Sequence, residues 1–546
     1  MNYVAGRKVP VASQAEPPSM PKSFPAPTGG WVSARNPAAL KTPLRLYGPP
    51  AEVLECMFPT ETGCEIMGGS QLHGTVSELG EPCESLWSYI GGSTHEMFGA
   101  SDGNIFNMTS PADPDLEETA DVTGQTSNYY ATANYATVGG NFLYAVNGTD
   151  SPQLYDGATW TTITGVSTPA ITGVTTSTLS HVNVYRNRLF FVQGSTMNVW
   201  ALPVDALGGA AIQISLAGVF QKGGAVLFTA TWSLDSGSGL DDKLVVMSTE
   251  GEIAVYQGSD PSDPADWTIV GVYDAPKPLG KNAFTKAGGD LIIETEQGLI
   301  PITAMVVKDK AALSISAVSR NIEPDWITDA RTRRSLPWEI VKWPSRQRAI
   351  ISCPVTGEES ITPPWCYVVN TTTGAWCKRT GWNTRCLVLH NEFVYFGTND
   401  GKIMQMEITG SDNGAIYYPV AVLGWDHFGA PGFQKTIISA RATFTVATDP
   451  IVQLSASSDY TISLPTPPNV AADVDSPGEW DVGLWDEALW DTGTTLMVYR
   501  TGWESINVSG AVLAPQLQFS MGNLVTPRGE FTALDVLYEA GELMLL

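Results

Sequence analysis

The chain has 546 residues, of which 43% are hydrophobic, and its 56 acidic and 30 basic side chains give a formal net charge of −26. This length predicts two or more domains, and the apolar and aromatic content excludes a disordered chain. No apolar run is long enough to cross a bilayer and no secretory signal pattern opens the chain, so we expect a protein made in a cytoplasm.

Residues 1–45 are rich in proline, serine and alanine, and they carry six basic side chains against Glu16 alone. This composition predicts an extended N-terminal arm rather than a packed element. The charge contrast with the acidic remainder allows the arm to dock on an acidic surface, although an ordinary solvated tail has the same composition.

From residue 46 to residue 410, one pattern recurs: an alternating apolar run, a polar turn with glycine, and a second alternating run. Asp102-Gly103, Glu250-Gly251 and Asn399-Asp400-Gly401 lie at the centres of three copies. Turns of this kind require residues with positive φ, so each copy predicts a β-hairpin. Further copies are centred on Asn147-Gly148, Gln193-Gly194, Gln297-Gly298 and Thr373-Gly374. Their spacing of roughly 50 residues predicts a β-propeller of about six blades.

The usual signatures of catalysis and metal binding are missing from the sequence. The seven cysteines include no C-x-x-C pair and the five histidines lie singly, so we expect buried thiols, structural histidines, no metal and no cofactor. Asp156-Gly157-Ala158-Thr159-Trp160 resembles an incomplete sialidase Asp-box, and no Gly-x-Ser-x-Gly elbow occurs. We therefore expect no catalytic residues and no enzymatic activity.

One basic-aromatic cluster interrupts the acidic chain near the end of the repeats. It begins with Arg331, Arg333 and Arg334 and continues through Arg348, with Trp338 and Trp343 interleaved. Such a cluster can bind a phosphate backbone or an acidic neighbour in an oligomer. The acidity of the rest of the chain favours the second interpretation, so we predict that the three arginines lie at a subunit or partner interface.

Residues 411–546 lose the repeat and show longer strand patterns, which predicts a separate C-terminal β-sandwich, or platform, domain. Within it, Trp480, Trp485 and Trp490 are each followed by an aspartate and recur five residues apart. Exposed tryptophan is costly on a free surface, so this segment is either folded into its own subunit or pressed against another one. We favour the second alternative and predict an interface.

Three features together resemble the tail nozzle, or tail hub, proteins of short-tailed bacteriophages. They are the run Gly280–Ile302, the turn between Gly258 and Gly271, and the Trp-Asp repeat. The resemblance covers residues 45–546 and rests on the arrangement of motifs. It implies a structural virion protein that assembles in the host cytoplasm as a homohexamer below the portal and its adaptor ring, beside tail fibre or tailspike proteins. It also implies a channel through which double-stranded DNA leaves the particle.

The negative charge is consistent with such a channel, because carboxylates along a wall repel passing DNA and leave it weakly bound. The alternative from a different class is a recognition propeller that binds a carbohydrate or protein receptor at its axial face. That role needs an aromatic and polar pocket at one mouth of the propeller and no self-associating tryptophan segment.

Overall fold

The computed structural model describes residues 19–34, 48–233, 242–355, 364–447, 450–469, 496–522 and 529–543. The chain is mostly β, and its repeats form a six-blade β-propeller arrangement, as the sequence predicts. Two larger sheets, here called the platform sheets, accompany the propeller.

Blades 1 to 6 are antiparallel sheets of three or four strands, and the first strand of each blade lies nearest the axis. In blade 6 the last strand comes from an earlier segment of the chain. Blade 1 contains Ser85–Gly91, Thr94–Ser101, Asn104–Asn107 and Ala120–Val122; blade 2 contains Ala131–Thr137, Gly140–Val146, Gln153–Tyr155 and Trp160–Thr162; blade 3 contains Leu179–Tyr185, Arg188–Gln193, Asn198–Ala201 and Ile212–Ser215. Blade 4 contains Val226–Trp232, Lys243–Ser248, Glu252–Gln257 and Thr268–Asp274; blade 5 contains Phe284–Ala287, Asp290–Thr295 and Gly298–Pro301; blade 6 contains Cys386–His390, Phe393–Gly397, Lys402–Thr409 and Gly69–Thr75. A short parallel pair, Ile171–Thr172 and Gly209–Ala210, lies beside blades 2 and 3.

The hairpin turns have the backbone geometry that the sequence predicts. Asp102 and Gly103 have φ values of 46° and 73°, and Gly251 and Gly401 have φ values of 80° and 72°. Asp102-Gly103 forms a two-residue turn whose twist matches that of the flanking strands, whereas Gly251 and Gly401 lie in longer loops. All seven predicted hairpins are present as antiparallel strand pairs.

Blade 6 closes the ring, because Gly69–Thr75 pairs antiparallel with Lys402–Thr409 from the other end of the repeat region. A four-stranded meander lies between blades 5 and 6 and consists of Ile340–Trp343, Arg348–Ser352, Trp365–Asn370 and Trp376–Thr380. Its last strand pairs with Glu55, so the meander continues into a platform sheet. The meander thus joins the propeller to the platform.

Both platform sheets combine strands from the two ends of the chain. The nine-stranded sheet adds to the meander the strands Gly30–Trp31, Pro50–Glu55, Val420–Leu423, Val452–Ser458 and Leu513–Phe519. The seven-stranded sheet consists of Met20–Pro25, Met57–Pro59, Cys64–Ile66, Phe433–Val446, Met497–Arg500, Glu504–Gly510 and Gly529–Leu543. Apolar residues of both sheets share one core with the meander.

Helical structure is concentrated in one insert, here called the helical insert, between blade 5 and the meander. It contains α-helices Ile302–Val307 and Glu323–Thr332 and the 3-10 helices Lys310–Ser316 and Val318–Ile322. Two further 3-10 turns are Thr176–Thr178 and Pro344–Arg346. The insert takes the place of a fourth strand in blade 5.

Two predicted boundaries differ from the structure. The described part of the expected arm is packed, because Met20–Pro25 pairs with residues 533–538 and Trp31 stacks on Tyr367. The strands between residues 50 and 66 belong to the platform sheets, so the propeller begins at Gly69 and not at residue 46. The sequence pattern missed both points, since the partners of these strands lie hundreds of residues away.

Buried arginines lie where the platform meets the propeller. Arg379 is completely buried, and its Nη2 atom lies 2.7 Å from Oδ1 of Asp412, with the guanidinium over the rings of Trp382 and Tyr417. Arg348 is also buried and forms ion pairs with two glutamates. Removing one partner from such a buried pair leaves a charge without compensation, so these contacts resist separation of the two parts.

Candidate functional site

The inner strands of the propeller begin close to the axis, and polar residues just before them contact one another there. The Nζ atom of Lys281, before blade 5, donates to the carbonyl oxygens of Tyr129 at 2.7 Å and Ser180 at 3.1 Å, which precede or begin blades 2 and 3. Blades 2 and 5 are not neighbours in the ring, so these bonds cross the axis. We call this group of residues the axial cluster.

A second chain of hydrogen bonds runs across the same level. Asn282 Nδ2 donates to the carbonyl oxygen of Tyr130 at 3.0 Å and to Oε1 of Glu339 at 2.9 Å. The other oxygen of Glu339 accepts a hydrogen bond of 3.0 Å from the backbone N–H of Leu387, which lies in the first strand of blade 6. The axial cluster therefore links blades 2, 3, 5 and 6 and the meander, and its hydrogen bonds cross the axis at this level.

The ionisable groups of the axial cluster are enclosed, and this changes their pKa values. Burial lowers the pKa of Lys281 to about 7, although the nearby Glu339 opposes the shift. Burial raises the pKa of Glu339 to about 7, against hydrogen bonds from Asn282 and Leu387 that favour the carboxylate. Burial thus disfavours the charged form of both groups.

Glu294 is the second carboxyl of the axial cluster and has no exposed surface. Neither of its carboxyl oxygens has a hydrogen-bond partner among the described residues. Burial, and after it the neighbouring Glu339, raises its pKa well above the ordinary value of 4.5. A buried carboxyl without partners is most stable in its protonated form, so the surroundings of Glu294 favour the neutral acid.

The predicted basic-aromatic cluster separates into a buried part and an exposed part. Arg333 is buried: its guanidinium lies 3.5 Å from the ring centre of Trp365, and its Nε atom is 3.7 Å from Oδ1 of Asp329. Arg331 and Arg334 are exposed on the helical insert, and Arg334 forms an ion pair with Glu296 at 2.9 Å. Of the three predicted interface arginines, only Arg331 and Arg334 are therefore available to a partner.

Two tryptophans and one further arginine of the cluster also belong to the interior, whereas Arg346 is exposed. Trp338 and Trp343 are buried in the core that the meander shares with the platform sheets, and Arg348 is buried beside them. Charge patterning along the sequence cannot separate such residues from exposed ones, because a strand alternates between its two faces.

Trp480, Trp485 and Trp490 lie outside the described residues, so their interface role stays a prediction. The strand Met497–Arg500 follows a few residues later at the edge of the seven-stranded sheet. Leu496, just before the strand, is 54% exposed, and Met497 and Val498 within it are 64% and 71% exposed. An exposed apolar edge strand of this kind favours pairing with another segment or another chain.

Other sequence expectations can be compared with the described chain. All seven cysteines are buried free thiols, as predicted. Among the described residues, no group of three or more His, Cys, Asp or Glu side chains is placed to hold a metal ion. None of the described helices is both long enough and apolar enough to cross a membrane.

No sequence motif predicts the axial cluster. Lys281 and Glu294 lie within Gly280–Ile302, but only as parts of a motif. The one sequence feature that points to the cluster is a charged residue at the end of an apolar strand, Glu294 after Leu291–Ile293. Such a residue is often exposed, so the pattern alone does not reveal that several blades converge on it.

Comparisons with known proteins add little about function. No family model matches the chain, and no curated protein matches it. Among solved structures, the computationally designed Ika8 protein is 10% identical and has a TM-score of 0.34, with 62% of this chain and 99% of that chain covered. Raptor of Chaetomium thermophilum is 9% identical and has a TM-score of 0.39, with 62% and 29% covered. Both TM-scores are below 0.5, so neither similarity indicates a function here.

Proposed function

We propose that this protein is a structural, non-enzymatic virion protein: one subunit of the ring-shaped tail nozzle of a short-tailed phage. In this role it attaches below the portal and adaptor and helps to form the channel for genome ejection. The observation that carries the proposal is the axial cluster, because its hydrogen bonds cross the axis of the propeller and close the central channel at that level.

A closed axis bears on both candidate roles of a propeller. DNA cannot pass between Lys281 and Tyr129 while their hydrogen bond is intact, so a conduit has to form between copies of the chain. A receptor-binding site at the same level would need space that the axial cluster fills. The enclosed groups also lack the access to substrate that acid-base catalysis requires, which favours a non-enzymatic role.

The surface of the platform supports assembly into a ring. The exposed apolar edge at Leu496, Met497 and Val498 resembles surfaces that soluble proteins cover by association. We therefore place the ring contacts before Ala51 and after Gly414 more than on the propeller. The partners of the ring are the portal-adaptor proteins above it and tail fibre or tailspike proteins around it.

The net charge of −26 suits the transit of DNA through such a ring. We expect acidic side chains to outnumber basic ones along the lumen of the assembled ring, where they repel phosphates. Reversing several of them to lysine creates phosphate contacts and slows genome release. A lumen lined mainly by arginine and lysine contradicts this part of the proposal.

The recognition propeller is the second candidate, and a propeller fold is equally compatible with it. It predicts a monomer, or a small oligomer, that binds a glycan or protein at an open mouth of the propeller. Electron microscopy of the purified chain or of its parent particle distinguishes the two roles. Rings support the nozzle, whereas isolated propellers decorated by a receptor support the alternative.

A further inference from the structure

Two of the seven buried thiols lie against each other. The Sγ atoms of Cys83 and Cys386 are 3.9 Å apart, and neither side chain has exposed surface. Both residues are free thiols, and the S–H group of Cys386 donates to the carbonyl oxygen of Cys83 at 3.2 Å. We call these two residues the thiol pair.

The thiol pair lies on the seam where the propeller closes. Cys386 is the first residue of blade 6, and Cys83 lies between the closing strand Gly69–Thr75 and blade 1. The backbone N–H of Cys83 donates to the carbonyl oxygen of Thr398 in blade 6 at 3.0 Å. Because the two cysteines are 303 positions apart in the chain, their contact joins the two ends of the repeat region.

The backbone of blade 6 leaves room for both sulfur atoms. Cys386 is paired directly with Gly397 in the neighbouring strand. A Cβ atom on Gly397 would lie 2.6 Å from the sulfur of Cys386 and 2.8 Å from the sulfur of Cys83, which is closer than such atoms approach in proteins. The two sulfurs therefore share the space that a side chain at position 397 would fill.

Other contacts hold the two segments of the seam in place. Arg385 and Glu84, which are the sequence neighbours of the thiol pair, form an ion pair at 3.0 Å. Apolar side chains from both sides of the seam enclose the sulfurs, namely Val76, Leu86, Met97, Phe106, Met108, Val388, Tyr395 and Ile403. A disulfide has a sulfur–sulfur distance of about 2.05 Å. Rotation of the two side chains can supply this approach while the seam stays paired.

We propose that Cys83 and Cys386 are a disulfide site, and that hydrogen peroxide converts the thiol pair into a covalent bond across the seam. One thiolate attacks the peroxide, the O–O bond breaks, and a sulfenic acid and one water form. The sulfur of the partner then attacks the sulfenic sulfur, and an S–S bond forms as a second water leaves. In total the two thiols lose two electrons and two protons, and the peroxide becomes two waters.

Burial makes this reaction slow while the propeller is intact. It raises the pKa of the Cys386 thiol well above its ordinary value, so the reactive thiolate is scarce at neutral pH. Local opening of the seam exposes both thiols together, because the seam is held by non-covalent contacts between distant segments. A reducing cytoplasm keeps the pair as thiols, whereas oxidising surroundings let the bond persist.

The bond has a structural consequence for the propeller. Without it, closure of the ring depends on the pairing of Gly69–Thr75 with Lys402–Thr409. A cross-link between residues 303 positions apart removes conformational freedom from the unfolded chain and thereby stabilises the folded one. This inference concerns the propeller alone and does not depend on the proposed ring.

The first test locates the bond in the full wild-type chain. Native protein is treated with hydrogen peroxide, quenched with catalase, alkylated with N-ethylmaleimide in denaturant and digested with chymotrypsin without reductant. We expect peptide 80–86 joined to peptide 383–387 as the main disulfide, in protein that runs as a single chain on a non-reducing gel. The other five cysteines, which are also buried, should be recovered as alkylated thiols. Recovery of Cys83 and Cys386 as alkylated thiols, or equal linkage of other cysteines, overturns the proposal.

The second test measures the effect of the bond on unfolding. Oxidised wild-type protein should unfold in urea about tenfold more slowly, or slower still, and dithiothreitol should restore the original rate. This reversal separates the disulfide from methionine oxidation, which dithiothreitol does not repair. Peroxide should not slow the unfolding of C83A or C386A, whereas C353A, which lacks a buried thiol elsewhere, should respond as the wild type does. Unchanged unfolding of the oxidised wild type, or reversible slowing that persists in C83A and C386A, overturns the proposal.

Discussion

The substitution Glu294→Gln tests the state of the axial cluster directly. The native pKa of Glu294 is raised above 4.5, so the folded protein keeps a proton that the unfolded chain loses as the pH rises above 4.5. The contribution of Glu294 to wild-type stability therefore falls with increasing pH through this window, by at most about 1.4 kcal/mol per unit. Glutamine has nearly the same shape and no titration. Above pH 4.5 the variant therefore gains stability relative to the wild type, by at most about 1.4 kcal/mol per pH unit.

The assay is urea unfolding of both proteins at pH 4.5, 5.5 and 7.0, followed by near-ultraviolet circular dichroism. We expect similar stabilities at pH 4.5 and a clear advantage of the variant at pH 7.0. Glu61→Gln, which removes an exposed carboxylate, serves as the control and should follow the wild type at every pH. Parallel pH profiles of the Glu294 variant and the wild type would refute the account of a buried, protonated carboxyl.

Three other predictions follow from named contacts. Lys281→Met removes two hydrogen bonds across the axis and should lower the free energy of unfolding by about 3 kcal/mol in urea, whereas Lys286→Met at an exposed position of blade 5 should change it little. Arg379→Ala removes a completely buried guanidinium from its ion pair with Asp412 and should cost about 3–5 kcal/mol by the same measurement; a smaller loss than that of Lys286→Met would contradict the role of the junction. Arg331→Ala with Arg334→Ala should change stability by less than about 1 kcal/mol, yet shift the ring to smaller species in sedimentation velocity. Unchanged assembly of this double variant would remove both arginines from the interface.

The sequence predicts the repeat well because its information is local. Each hairpin depends on a turn such as Asp102-Gly103, whose residues tolerate positive φ, and on alternation within about ten residues. Closure of blade 6 by Gly69–Thr75 depends instead on pairing with a strand more than 300 residues later. No local pattern carries that information.

The candidate sites show the same division. Arg331, Arg333 and Arg334 are equivalent in the sequence, but the end of one helix places Arg333 against Trp365 and leaves the other two exposed. The axial cluster was not predicted because its members come from separate repeats. Lys281 meets Tyr129 only when the ring has closed.

The most direct test of the central claim is electron microscopy of the assembled protein, combined with its mass in solution. The account predicts rings, with six copies of the 58.5 kDa chain, whose contacts lie on the platform and whose central channel runs between subunits. Each propeller in the ring should be closed at its own axis. A monomer in the intact biological assembly, or a ring held together by propeller contacts alone, would contradict it.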